Sequence, residues 1–355
     1  MSFCDSIRLE KGMYNVRGKS FTEVLESLDP SENYKETPLA GLDAYERQLK
    51  RFDIKVNGPA CDKIEKFFST TDSAVLFPEF ISRAIKQGLE SFKILPEIVA
   101  ATSIIDGVDY RSISTTSSDA STTDDSSNES ATSDSSDSYV GEATSIKKID
   151  VKHGSNLTKL KKYGRIFSSS YEAMRFQNLD LMTVIFKQIG RDLAYEQLDD
   201  LITAIMPSTN AVSTTEASKI AYSDVVSLWS AFGSYTPNVI IGASDTISKL
   251  LSISEIKNIH TDTHLHGCCQ FINPICANLI VNNSLKTTTS EKLLAFDKDF
   301  AVQMVQSGNL TIEYDKVIDQ QLNQAAISVI RGFSPICTDA IKSLAVTQPT
   351  TKGGN

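Results

Sequence analysis

Residues Lys147 to Met206 read KKIDVKHGSNLTKLKKYGRIFSSSYEAMRFQNLDLMTVIFKQIGRDLAYEQLDDLITAIM, and this stretch decides how the rest of the chain is organised. From Asp180 onward Leu181, Val184, Ile185, Ile189, Leu193, Leu198, Leu201, Ile202 and Ile205 recur at helical spacing. Lys187, Arg191, Asp192, Glu196, Asp199 and Asp200 fall between them. The pattern predicts one continuous helix over 180–206, roughly 25 residues or about 38 Å long. A helix of that length spans a domain and acts as its spine. Just upstream, Asn156 to Ser170 alternates Leu160, Tyr163 and Ile166 with Lys and Arg, the mark of a half-exposed strand. The segment from Ser170 to Arg175 reads as a short helical turn that leads into the spine.

Working outward toward the N-terminus, residues 106–165 form a strand-like unit that begins at the Asp106-Gly107 bend and returns through the lysine-rich strand. At its tip lies a tract, 114–138, made of Ser, Thr, Asp, Glu, Asn and Ala with no Lys or Arg. Nothing in it can enter a core, so a mobile, solvated loop is expected. Ile94 to Ser112 reads as a strand bent at Asp106-Gly107. Ala74 onward, AVLFPEFISRAIKQGL, predicts a helix with Pro78 in its first turn and Gly88 at its end. Residues 1–73 are polar, broken by Pro30 and Pro38, with short helical patterns at Phe21 to Leu28 and Asp43 to Lys50. This segment reads as an arm that needs a surface to lie on.

Toward the C-terminus a second unit begins near Pro207. A helix is predicted over Ser218 to Phe232, a buried strand at Asn238 to Gly242, and a helix over Ala243 to Leu251 capped through Ser-Asp-Thr. Short strands follow around Pro274 and at Lys292 to Asp297, then a turn of helix at Phe300 to Ser307. Strands are predicted at Leu310 to Tyr314, Gln320 to Gly332 and Ala340 to Val346. The tail 347–355 is expected to fray.

The chain has 355 residues, long enough for two packed subdomains, and 41% hydrophobic residues suffice for real cores. A formal charge of -9 argues against a nucleic-acid binder that works through net charge. The six cysteines lack Cys-x2-Cys spacing and are expected to be free thiols. With no secretory leader in Met1 to Lys11 and no apolar run of about 18 residues, a soluble cytoplasmic product is expected.

Few residues invite chemistry. His260, His264, His266, Cys268 and Cys269 fall within ten residues and offer zinc-preferred ligands, of which His264, His266 and Cys268 share one face of a strand. Neither HExxH nor Cys-x2-Cys spacing is present, so no metal, cofactor or catalytic residue is assigned; a zinc enzyme is the rival reading. No GxSxG, Walker-type or GxGxxG sequence occurs. Asp199 and Asp200 read as a solvated face of the spine. Lys159, Lys161, Lys162 and Arg165 make a basic edge on an acidic chain, serving either solubility or an intersubunit salt-bridge strip.

The order of strand, Lys-Tyr-Gly-Arg (162–165), Ser-Tyr-Glu-Ala-Met-Arg (170–175), Asn-Leu-Asp (178–180) and long helix resembles the junction of extended loop and spine in tailed-phage major capsid proteins of the Hong Kong 97 type. Val75 to Phe80 with Arg83, Asp106 to Arg111, Leu294 to Asp297 with Thr311 to Asp315, and Ala325 to Ile341 resemble further segments of that family in the same order.

The resemblance implies an α+β, Hong Kong 97-like fold. Its parts would be an N-terminal arm (1–73), the start of a peripheral domain (74–105), an extended loop (106–165), the rest of the peripheral domain (166–207 and 291–333), an axial domain (208–290 and 334–346) and a flexible tail. It implies a non-enzymatic shell protein forming hexamers and pentamers around double-stranded DNA, found in the virion and assembled in the host bacterial cytoplasm. Portal, scaffold and decoration proteins are its implied partners, with no membrane. Some members crosslink a loop Lys to an Asn where this chain has Gln320 or Gln321, so crosslinking is not expected. An encapsulin-like compartment around cargo enzymes is the alternative.

Overall fold

The computed structural model describes residues 7–16, 19–91, 94–107, 109–118, 148–170, 172, 176–257, 271–272, 275–287, 290–317, 319 and 321–347. Helices α1 (Phe21–Leu28), α2 (Ala44–Arg51) and α3 (Thr71–Ala74) lead to α4 (Phe77–Ser91) and α5 (Ile94–Ile98). Strand β1 (Ala101–Ile105) precedes the hairpin of β2 (Asp109–Ser118) and β3 (Lys148–Lys159). Then come β4 (Lys161–Ser170) and the spine helix α6 (Leu179–Ile205). The remainder runs β5 (Val212–Ser213), α7 (Tyr222–Ser230), β6 (Val239–Gly242), α8 (Ser244–Leu251), α9 (Ser254–Lys257), β7 (Phe271–Ile272), β8 (Ile275–Cys276) and β9 (Asn278–Val281). It closes with β10 (Glu291–Phe296), β11 (Val302–Val317), β12 (Leu322–Pro335) and β13 (Ile341–Val346).

The spine helix organises two sheets. Its N-terminal half lies on a four-stranded sheet of order β1-β11-β12-β4. Along β12 every second residue, Ala325, Ile327 and Val329, is buried and shares a core with Phe186 and Leu193 of the helix. Their register partners on β4 are Phe167, Arg165 and Tyr163, so these also face the helix. The C-terminal half of the spine, Leu198, Leu201, Ile202 and Ile205, packs on a five-stranded sheet of order β5-β13-β10-β6-β9. In the central strands of that sheet alternate residues enter different cores. Val239, Ile241, Leu294 and Phe296 face the spine, while Ile240, Leu293 and Ala295 pack with Val225 and Leu228 of α7 and Ile247 of α8. Covering on both faces explains why these strands are continuous apolar runs.

Residues 9–67 fold as a layer on α4. Phe21, Leu25, Tyr45, Leu49, Ile64 and Phe67 share the core of Phe77, Phe80 and Phe186. A polar strap adds to this: Arg83 of α4 bonds Asp43 at 2.7 Å and Thr22 at 3.0 Å, and its guanidinium lies over the Tyr45 ring. The surface this segment lies on therefore belongs to its own chain.

Several expectations are corrected. Residues 291–296, assigned to the peripheral domain, form β10 at the centre of the other sheet, between β13 and β6. The turn of helix at Phe300 to Ser307 is instead the start of β11, bonded on both sides by β1 and β12. Ile94 to Ile98 is a helical turn that buries Leu95 and Ile98, and strand begins only at Ala101. Gly88 does not end α4. It sits where α4 crosses the spine opposite Gly190, and a Cβ there would collide with the Lys187 carbonyl oxygen and lie 2.8 Å from the Lys187 Cα. The N-terminus of α8 has no side-chain cap of its own; Asn283 Oδ1 accepts its first N–H, from Ser244, at 3.2 Å. The Ser/Thr/Asp tract is strand up to Ser118; its residues 119–138 lie outside the described residues. Thr347, placed in the fraying tail, is tied to Thr214 by two hydrogen bonds of 2.9 Å.

Candidate functional site

Side chains at Lys161, Tyr163 and Arg165 project from β4 toward the spine, and all three find carboxylates there. Lys161 Nζ is 2.8 Å from Asp200, and Arg165 pairs with Glu196. Between them the Tyr163 hydroxyl donates to Asp200 at 2.5 Å. Burial, then the bond to the Asp200 carboxylate, push the Tyr163 phenol well above its ordinary range, so it stays a neutral donor. Asp199 accepts from Asn282 at 2.6 Å. The pair Asp199 and Asp200 is thus no idle solvated face; it ties the spine to β4 and to the turn that follows β9. Lys162 and Lys159 are exposed and have no carboxylate partner among the described residues. Two of the four residues of the basic edge are therefore neutralised within the subunit, and two remain to face outward.

Sequence periodicity misses a second surface. Helical spacing puts Leu181, Val184 and Ile185 in the buried stripe, but they are 52%, 58% and 37% exposed. The buried positions here are Leu179, Met182, Phe186 and the small Gly190. The first two turns, LDLMTVIF, are apolar nearly all round, so no single stripe tells which side is buried. Phe176, 61% exposed, lies just before the helix. Ile104 and Ile166, 71% and 70% exposed, stand on β1 and β4, the two edge strands of the four-stranded sheet. Lone exposed apolar residues are ordinary, whereas Leu181, Val184 and Ile185 together make an exposed apolar patch on one face of the spine.

The third feature is the hairpin. Strands β2 and β3 pair only with one another among the described residues. At its base Tyr110 OH donates to Gln303 at 3.0 Å, and the Gln303 amide donates to Ser103 at 2.7 Å. A two-stranded ribbon is marginal alone and gains stability when something covers it.

His260, His264, His266, Cys268 and Cys269 lie outside the described residues. Among the described residues no group of three or more His, Cys, Asp or Glu is placed to hold a metal ion, and no helix is long and apolar enough to cross a membrane.

Residues 155–309 match the family model described as phage capsid protein. The fold matches the virus-like particle from Pyrococcus furiosus with a TM-score of 0.50 and 14% identity, over 75% of this chain and 98% of that one. It matches the capsid of a native GTA particle equally well, with a TM-score of 0.50 and 14% identity over 71% and 89%. This is a Hong Kong 97-type capsid fold. No curated protein matches the chain in sequence. In this fold the capsid domain of residues 155–309 takes in β4, the whole spine, most of the five-stranded sheet and the start of β11. The basic clamp and the exposed apolar turn both lie within it.

Proposed function

We propose that the chain is the major capsid protein of a tailed-phage head, which self-assembles into hexamers and pentamers and closes an icosahedral shell around double-stranded DNA. The observation that carries this reading is the phage capsid domain at the centre of a capsid fold. The surfaces suit the task. A shell subunit needs large contacts with neighbours and no active site. The apolar turn of Leu181, Val184 and Ile185, the outward Lys159 and Lys162, and the hairpin are the contacts we assign to neighbouring copies. DNA is held without sequence-specific contacts, consistent with the acidic chain. Portal, scaffold or decoration proteins complete the particle, which is assembled in the host bacterial cytoplasm.

The test is negative-stain microscopy and size-exclusion chromatography of the chain expressed alone and with its neighbouring genes. Closed shells, or rings of five and six subunits, that contain nucleic acid are expected. Shells filled with one protein and free of nucleic acid would move the assignment to a cargo compartment. A monomer or dimer under all these conditions would overturn self-assembly as the function.

A further inference from the structure

The loop that follows α2 within the N-terminal layer, before the turn at Ile64–Phe68, carries Asn57-Gly58, the only Asn-Gly pair in the sequence. We propose that Asn57 is a site of spontaneous backbone modification, in which the Gly58 backbone nitrogen converts the Asn57 amide to isoaspartate and aspartate. This inference does not depend on the shell reading. Both residues are exposed, and among the described residues neither the Asn57 amide nor the Gly58 N–H has a hydrogen-bond partner. Gly58 sits at φ +95 with no atom within 4 Å of where a Cβ would stand, so no neighbouring side chain packs on this side of the turn. That backbone angle strains other residues, so the fold requires glycine here while using nothing of Asn57. The reactive pair is a consequence of the turn.

The chemistry needs only water. The Gly58 nitrogen attacks Cγ of Asn57, a new bond forms between them, and the bond from Cγ to the amide nitrogen Nδ2 breaks. Ammonia leaves with the proton taken from the Gly58 amide. Water then opens the resulting succinimide at one of its two carbonyls. One opening yields aspartate, and the other yields isoaspartate, with the backbone running through the former side group.

Either product adds a negative charge to a loop already holding Asp53 and Asp62, which share Lys66 at 3.1 and 3.0 Å. Isoaspartate also lengthens a loop whose ends are pinned: Lys55 N–H donates to the Asp62 carboxylate at 2.7 Å, and Asp62 N–H to the Lys55 carbonyl at 2.9 Å. The Asp62 carbonyl in turn accepts from Leu179, the first residue of the spine, at 3.0 Å. The modification therefore acts at the joint between layer and spine.

The experiment incubates the purified full-length protein in water enriched in heavy oxygen, in mildly acidic and mildly alkaline buffers, and maps peptides by mass. The expected result is progressive loss of Asn57, faster in alkali, with one heavy oxygen gained and isoaspartate exceeding aspartate. Asn282 and Asn283, whose Oδ1 atoms accept backbone N–H groups, should remain intact over the same period. Asn57→Gln, whose extra methylene disfavours ring closure, should abolish the change without altering the fold. Intact Asn57 in the folded protein, when a denatured sample reacts, would overturn the proposal. So would aspartate formed without isoaspartate.

Discussion

Arg47 is the residue on which the N-terminal layer turns. It is wholly buried, and its Nε lies 2.8 Å from the equally buried Asp29 carboxylate. It also donates to Ser31 and to the Leu42 carbonyl at 2.9 and 2.7 Å, under a Tyr34 ring whose hydroxyl donates to Asp29. A buried pair adds little net stability over an apolar replacement, but breaking it strands a charge, at a cost of about 3–5 kcal/mol. Arg47→Ala should therefore lower the urea midpoint sharply, while the double variant Arg47→Met, Asp29→Leu should lose much less than the sum of its single changes. An additive double variant would show that the ions are not coupled. A second residue-scale expectation concerns acid. The hydrogen bond from Lys249 to Glu291, 2.6 Å long, holds that carboxyl below the ordinary range, despite the opposing effect of burial. A depressed folded value stabilises the fold above the unfolded value of about 4.3 and is lost as pH falls through the folded one. Urea unfolding of Glu291→Gln should accordingly vary less with pH below about 4.3 than that of the parent protein.

At the scale of elements, the crossing of α4 and the spine is the tightest joint. A Cβ on Gly190 would meet Leu89 N at 2.9 Å and the Ile85 carbonyl oxygen more closely still. Gly190→Ala gains about 1 kcal/mol of helix propensity, yet it must push two backbones apart, an overpacking cost of about 1–3 kcal/mol or more. Net loss of thermal stability is the expected outcome, and an unchanged or raised melting temperature would show that the helices can separate freely. Elements are legible in the sequence where one periodicity dominates. The C-terminal half of the spine and the stretch of β12 from Ala325 to Val329 are of this kind, because each lays one face against a single core. Reading fails where burial on both faces erases the period. Ala301, Val302, Met304 and Val305 imitate helical spacing, yet all four are buried at a strand flanked by β1 and β12. Gly88 misleads for a related reason: a stop and a close crossing both require glycine, and only the position of Gly190 in space separates them.

At the scale of the whole molecule, what the sequence hides is direction. The basic edge is visible, but Lys161 meets a carboxylate 39 positions away and Arg165 one 31 positions away, and composition says nothing about such partners. The apolar turn of the spine is equally visible, yet periodicity cannot tell which of two apolar sides the subunit itself covers. The structure covers Met182 and Phe186 and leaves Leu181 and Val184 open, and that division makes assembly separable from folding. A carboxylate at an exposed helix position changes stability by about 0.5 kcal/mol or less, whereas burying it unpaired between two subunits costs several kcal/mol at every copy of the contact. Val184→Asp should therefore keep the parent circular dichroism and melting temperature but elute as free subunits or small rings rather than closed particles. Met182→Asp, its buried neighbour, should fail at the earlier step and be recovered unfolded or aggregated. If Val184→Asp instead closes shells at parental yield, the apolar turn of the spine is not a contact between copies, and the neighbours must meet through the hairpin and the outward lysines.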